Sequence, residues 1–290
     1  MTITAEHESP RPSAGGAFAD AVTVAFGDQS QRVYGLARLG VSEDGASGLA
    51  VLFDGPQTIV AHAEGGTPVA ERWDDMRPGG VEHTVVTPLE AWTVHFDDGA
   101  GNGFDLRLAA ASAPAETRED TEAVRIGGMV GYEQLLTVEG AVTIGGRERL
   151  VRCGGQRGHG WGAPDWNRIE LARTVSAWFD DGDGVLLTGV LPAGGAPDVE
   201  GRVGFLVAGG DPVEVPDVKL STTFDGEQRQ RRAGIELWTD PEQWPHRAAG
   251  DLICGSSLDL GRLRYDCAFF GWRMEGRTGV GRYDVLRRVG

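Results

Sequence analysis

From residue 17 onward the chain is a succession of short apolar runs cut by turn residues. AVTVAF, VYGLARLGV, GLAVLF, TIVAHA, HTVVTPLEAWTVHF and FDLRLAAA follow one another at spacings of about 8–15 residues. Within the runs, apolar and polar positions alternate. Trp92, Val94 and Phe96 alternate with Thr93, His95 and Asp97, and beyond the turn DDGAGNG the alternation returns in Phe104, Leu106 and Leu108. A period of two puts the two sets on opposite faces of an extended chain, so these runs predict antiparallel strands joined by hairpins.

A small, acidic, proline-containing stretch, ASAPAETREDTEA (111–123), interrupts the pattern. It reads as a connector, or as the place of a short helix, since Ala and Glu favour one. The strand pattern then resumes. GYEQLLTVEGAVTIGG predicts two short strands and RIELARTVSAWF (168–179) one long strand, with Ile169, Leu171, Arg173 and Val175 on one face. DDGDG, read as a hairpin tip, turns that strand back into VLLTGVLP, and GRLRYDCAFFGWRMEG and VGRYDVLRRV add two more. Residues 1–16 are polar, with two prolines and a Gly-Gly pair, and predict a mobile tail. The expected organisation is all-β: a tail (1–16), an N-terminal β-domain (17–110), a connector (111–124) and a C-terminal β-domain (125–290). TVHFDDGAGNGFDLRL (93–108) and VSAWFDDGDGVLLTGV (175–190) resemble each other, which suggests duplication, unless FDDG is simply a good turn.

Composition sharpens this picture. Glycine, at 45 of 290 residues, has no collagen period and fits many tight turns. The chain carries 27 basic and 43 acidic residues, a net charge of −16, and all the basic ones except Lys219 are arginine. A polyanion would be repelled, which argues against a nucleic-acid partner and against anionic lipid. No apolar run reaches the length of a membrane span. Cys153, Cys254 and Cys267 are odd in number and form no CxxC pair, which excludes a disulfide scaffold and a cysteine zinc site. The N-terminus has no basic head and no apolar core, so a cytoplasmic location is expected. Neither clustered metal ligands nor a dinucleotide fingerprint is present, so no cofactor is expected.

The densest unusual segment is CGGQRGHGWGAPDWNRIEL (153–171). His159, Trp161, Asp165 and Trp166 fall within eight residues, among glycines 158, 160 and 162. One imidazole, one carboxylate and two indoles can protonate an alkene and hold the resulting cation. The alternative is a buried glycine-rich loop with tryptophan plugs. Alternation points His159 and Trp161 the same way, Arg157 shares their parity, and Pro164 can turn Asp165 and Trp166 back over the same mouth. Gln156, Arg157, His159, Trp161, Asp165 and Trp166 are therefore expected to face one cavity. Arg173, on an apolar face, needs an anionic partner: an internal Asp or Glu, or a ligand carboxylate. Tyr132 and Glu133 either line a pocket or form a satisfied interface pair.

GQRGHGWGAPDWNRIEL resembles the G-x-R-x-H-x-W-G…W stretch of the carotenoid 1,2-hydratase and AttH-like family, a tandem lipocalin (calycin) group. Kievitone hydratase, tocopherol cyclase and decalin-forming Diels–Alderases look related to it. The resemblance is sharp over 130–180, extends through EGRTGVGRYDVL, and over 1–120 rests on the strand pattern. It implies two lipocalin-like barrels in tandem, with a pocket between them roofed by 154–168. It also implies a cofactor-independent cyclase or hydratase acting on a hydrophobic polyene, terpenoid or polyketide, by acid-assisted addition across a C=C bond. The family's His-x-Trp maps to His159 and Trp161; with Asp165, which the residue pattern and not the family motif supplies, these are the catalytic candidates. Trp166, Gln156, Arg157, Arg173, Tyr132 and Glu133 are the substrate-binding ones. The family's downstream Tyr-x-Asp is absent from VLLTGV, which leaves cyclisation or isomerisation open beside hydration. A pericyclic cyclase and a non-catalytic carrier of a hydrophobic ligand are the alternatives.

Overall fold

The computed structural model describes residues 2–11, 15–179 and 182–289. With 7% helix and 65% strand, the protein is all-β. Ten strands build the first sheet: β1 (Ala19–Asp28), β2 (Val33–Ser42), β3 (Gly45–Asp54), β4 (Gln57–Thr67), β5 (Val81–Thr87), β6 (Ala91–Asp97), β7 (Gly103–Ala110), β8 (Ala115–Thr117), β9 (Met129–Ile144) and β10 (Arg147–Gly162). Nine build the second: β11 (Ile169–Trp178), β12 (Gly184–Pro192), β13 (Gly201–Ala208), β14 (Asp211–Glu214), β15 (Asp217–Phe224), β16 (Gln230–Trp238), β17 (His246–Asp259), β18 (Leu263–Met274) and β19 (Arg277–Arg288). All pairings are antiparallel.

The sheet orders are β4-β3-β2-β1-β10-β9-β7-β6-β5 and β14-β13-β12-β11-β19-β18-β17-β16-β15, with β8 also paired to β9. Strand for strand they are the same, so the chain is a tandem pair of lipocalin-like half-barrels. The FDDG resemblance does not mark that repeat. It compares β6–β7 with β11–β12, whereas the topological counterpart of β11–β12 is β1–β2. FDDG therefore serves as a turn sequence. Asp180 and Asp181 of the DDGDG turn lie outside the described residues.

Each sheet curls around its own core. In the first, β5 comes back against β2 and β3, enclosing Phe26, Leu52, Trp92, Phe96 and Leu106. In the second, Val175, Leu187, Phe270, Trp272 and Tyr283 lie inside. The other faces pack on each other, with Leu36, Phe53 and Leu135 of the first sheet meeting Trp178, Phe205 and Phe269 of the second. Central strands are thus covered on both sides. That is why AVTVAF reads as a nearly continuous apolar run, while edge strands such as β4 keep exposed positions.

Three organisational expectations change. The first sheet does not end at the 111–124 segment. That segment holds β8 and a short helix α1 (Glu122–Gly127), and β9 and β10 then complete the first sheet. The chain passes to the second sheet only after Gly162, because β1 needs β10 to cover its other edge. Residues 129–144 form one 16-residue strand, not two; Gly140, at φ 154°, carries it past the expected break. The 1–16 segment, expected to be mobile, is packed where it is described: Ala5–Glu8 form a 3-10 turn and Glu8 is buried, drawn in by Arg157.

Candidate functional site

The glycine-rich segment is the end of a strand, not a loop. Residues 154–162 pair with β1 on one side and with β9 on the other. Alternation along this strand therefore decides where each candidate points. Arg157, His159 and Trp161 project into the core of the first sheet. Gln156, Gly158 and Gly160 project towards the second sheet. The single cavity expected for all of them is divided by the sheet itself.

Between the two sheets lies a cavity of about 200 Å³, bordered by Gly131, Glu133, Gly160, Trp166, Thr174 and Thr188 among others. The glycines make room for it. A Cβ at Gly160 would meet nothing closer than the Val130 carbonyl oxygen at 3.5 Å. Glu133 of β9 stands opposite Gly158 of β10 and takes up the space that a side chain there would need. The Gln156 amide donates to Glu133 Oε2. Burial pushes the Glu133 pKa up to about 6, against the pull of the Arg282 guanidinium. Across the interface, Tyr265 donates to Asp284 Oδ2 at 2.7 Å and Arg282 Nε lies 2.9 Å from the same oxygen. Burial raises Asp284 as well, and raises the phenol of Tyr265 well above its ordinary value. Thr174 is the strand partner of Asp284. This arrangement offers a carboxylic acid that keeps its proton to a higher pH than an ordinary glutamate, being half-protonated at about 6, on the wall of a mostly apolar chamber.

On the far face of the first sheet, His159 Nε2 lies 2.7 Å from Asp20 Oδ1, both side chains fully buried. Burial lowers the His159 pKa. Trp73, Trp161 and Tyr132 surround the imidazole, at 5.4–5.8 Å between ring centres. The Arg11 guanidinium lies 3.3 Å over the Trp161 ring, and the Arg11 backbone N–H donates to Asp20 at 2.7 Å. Arg157 is paired with Glu8. Tyr132 and His159 border the interface cavity along their strands, but their rings belong to this second cluster.

The remaining candidates are separate. Asp165 is exposed in the turn after β10 and accepts a hydrogen bond from the Asn167 N–H at 3.0 Å. It joins neither cluster: Pro164 and Trp166 on either side of it border the cavity, while Asp165 itself faces out. Arg173 borders the interface cavity along β11, with its guanidinium directed into the second sheet. Its Nε is 2.9 Å from Glu200 Oε1 and its Nη1 donates to Tyr283 at 3.1 Å, so its anionic partner is internal. Cys153 packs beside the first core as a free thiol whose pKa burial pushes up to about 12.

Sequence reasoning missed Asp20, Glu8, Arg282, Asp284 and the hydrogen-bonding role of Tyr265. One signal was available. Arg282-Tyr283-Asp284 places two charges of the same parity in an otherwise apolar strand, which requires them to pair across something buried.

A family model described as a domain of unknown function, DUF7064, matches residues 4–289. No curated protein matches the chain. Among solved structures, a putative AttH from Nitrosomonas europaea superposes with a TM-score of 0.68 at 12% identity, covering 94% of this chain and 93% of that one. Kievitone hydratase from Nectria haematococca gives 0.67 at 10% identity, covering 98% and 93%. CghA with Sch210972 gives 0.63 at 10% identity, covering 94% and 89%. At these identities the likeness is one of fold.

Proposed function

The chain belongs to the DUF7064 family, and from that premise and the interface cavity we propose that it is a cyclase or hydratase acting on a hydrophobic small molecule held between the two sheets. The observation that carries this reading is Glu133: a half-buried carboxyl between the sheets, raised to about 6, on the wall of an apolar chamber. In the proposed step the Glu133 carboxylic acid transfers its proton to one carbon of a substrate C=C bond, leaving a cation on the other. The Trp166 indole supplies a ring face for that cation. Attack by a second double bond closes a ring, and attack by water completes a hydration. The proton then lost from the product returns to the Glu133 carboxylate, so no cofactor is consumed. Gln156 holds the carboxyl in place. A hydratase of the same fold, kievitone hydratase, and a structure of that fold holding Sch210972 support the reaction class and the holding of a small molecule; the substrate class proposed with them is a polyene, terpenoid or polyketide.

The test is Glu133→Gln, assayed for turnover of candidate polyenes, with folding followed by thermal melt. Loss of a general acid costs roughly 10²–10⁴-fold in rate. Turnover by wild type should also fall as pH rises through about 6. A folded Glu133→Gln variant with full turnover would replace this reading with the pericyclic one, in which the cavity only folds the substrate. Binding without turnover would make the protein a carrier.

A further inference from the structure

The proposed reaction uses none of the polar groups inside the first sheet, and some of these form a built site of their own. Glu8 Oε2 lies 2.5 Å from Arg157 Nη2 and accepts the Trp92 indole N–H at 3.3 Å. Glu8 Oε1 accepts the Leu89 backbone N–H at 3.0 Å. Each donor is braced in turn. Arg157 Nη1 donates to the Tyr132 hydroxyl at 2.9 Å, and its guanidinium sits 4.7 Å over the Trp92 ring. The Leu89 carbonyl accepts from Gln134 Nε2 at 3.1 Å.

Leu89 is the telling member. Its φ is 63°, in the left-handed region that a leucine rarely adopts. The turn that Glu90 N–H closes onto the Thr87 carbonyl at 3.1 Å, with Pro88 before Leu89, requires this φ, and it aims the Leu89 amide at a carboxylate oxygen. The Arg157 side chain is 0% exposed, so leaving it without a counter-charge is costly. The constellation therefore demands an anion of carboxylate geometry.

The carboxylate that meets this demand belongs to a segment outside both sheets. Residues 2–11 are held by side-chain contacts: Glu8 itself, the Trp73 indole N–H donated to the Glu8 carbonyl at 2.8 Å, and Arg11 on Trp161. A groove of about 310 Å³ runs beside the segment, walled in part by Trp73, Val85 and Pro88.

We propose that Arg157, Trp92 and Leu89 form a carboxylate-binding site filled in cis by Glu8, which a ligand bearing a carboxylate on an apolar body enters in exchange for the N-terminal segment. The exchange keeps the three carboxylate donors, Arg157, Trp92 and Leu89, satisfied, because one carboxylate replaces another, while the Trp73 indole N–H gives up the Glu8 carbonyl. The apolar body takes the groove and the space that the segment vacates.

Glu8→Gly empties the carboxylate position and leaves Arg157 in place. Its melting temperature should fall by about 5 °C. Sodium formate at roughly 100 mM should recover part of that fall through binding to the folded state. Sodium chloride of equal ionic strength should not, and wild type should gain nothing from formate. Formate no better than chloride overturns the site. If Glu8→Gly does not fold, Glu8→Gln, which fills the volume without charge, replaces it. Hydrogen exchange at residues 4–11 and at Leu89 should then rise over wild type, and unchanged protection overturns the site. For the exchange itself, sodium octanoate should raise hydrogen exchange of residues 4–11 in wild type, while octan-1-ol should not. No effect of octanoate, or an equal effect of both, overturns ligand exchange.

Discussion

Gly158 and Glu133 are cross-strand partners, and a Cβ at Gly158 would stand 2.5 Å from Glu133 Oε2 and 2.6 Å from Oε1. The glycine is there to admit the carboxyl. Gly158→Ala forces Glu133 away from Gln156 or bends the strand, at a cost of roughly 1–3 kcal/mol. The expected result is a lower melting temperature, and Glu133→Ala in the same background should restore much of the loss by removing the clash.

The Glu133 pKa is raised from 4.5 to about 6, so the folded protein keeps this proton over a range in which the unfolded chain has lost it. The stabilisation is complete below the unfolded value and disappears as pH rises through the folded one. Glu133→Gln is neutral at every pH. Melts recorded at several pH values should show the variant gaining on wild type between pH 4.5 and about 6, and holding a constant margin above that.

The two buried histidines act with the opposite sign. Burial lowers His159 and lowers His83 further still. Their neutral forms stabilise the fold above the ordinary value of 6.5, and that contribution is lost as pH falls below it. Wild-type melting temperature should therefore decline on acidification from that point. Asp20→Ala, which strips partners from His159 and from the Arg11 amide, should cost at least about 2 kcal/mol at every pH by denaturant titration.

All three thiols are pushed up by burial, Cys153 to about 12 and Cys254 and Cys267 also raised. Thiolate is the reactive form, so a disulfide-exchange reagent at mildly alkaline pH should label the native protein very slowly. In denaturant, three equivalents should react at once. Rapid native labelling of Cys153 would mean that its strand opens.

Much of the architecture was legible because alternation is local. Trp92, Val94 and Phe96 announce β6 without reference to any other residue, and Arg157, His159 and Trp161 declare a common face by parity alone. What that face meets is not local. Asp20 lies 139 residues from His159, and Glu8 lies 149 residues from Arg157. No spacing rule links them. The 111–124 segment misled for a related reason: its composition is that of a linker, but a sheet ends where its last strand pairs, and β10 pairs with β1.

The sequence by itself determined the all-β class, many of the strands outside 201–259, and the alternation that puts Arg157, His159 and Trp161 on one face. Each of these depends on backbone geometry and on neighbours a few residues away. Tertiary structure alone decided that the motif strand separates two clusters, that Asp165 faces solvent while Glu133 faces the cavity, and that the N-terminal segment supplies a counter-charge. Those outcomes depend on which face of one sheet is buried against the other. Burial between the sheets also raises the pKa of Glu133.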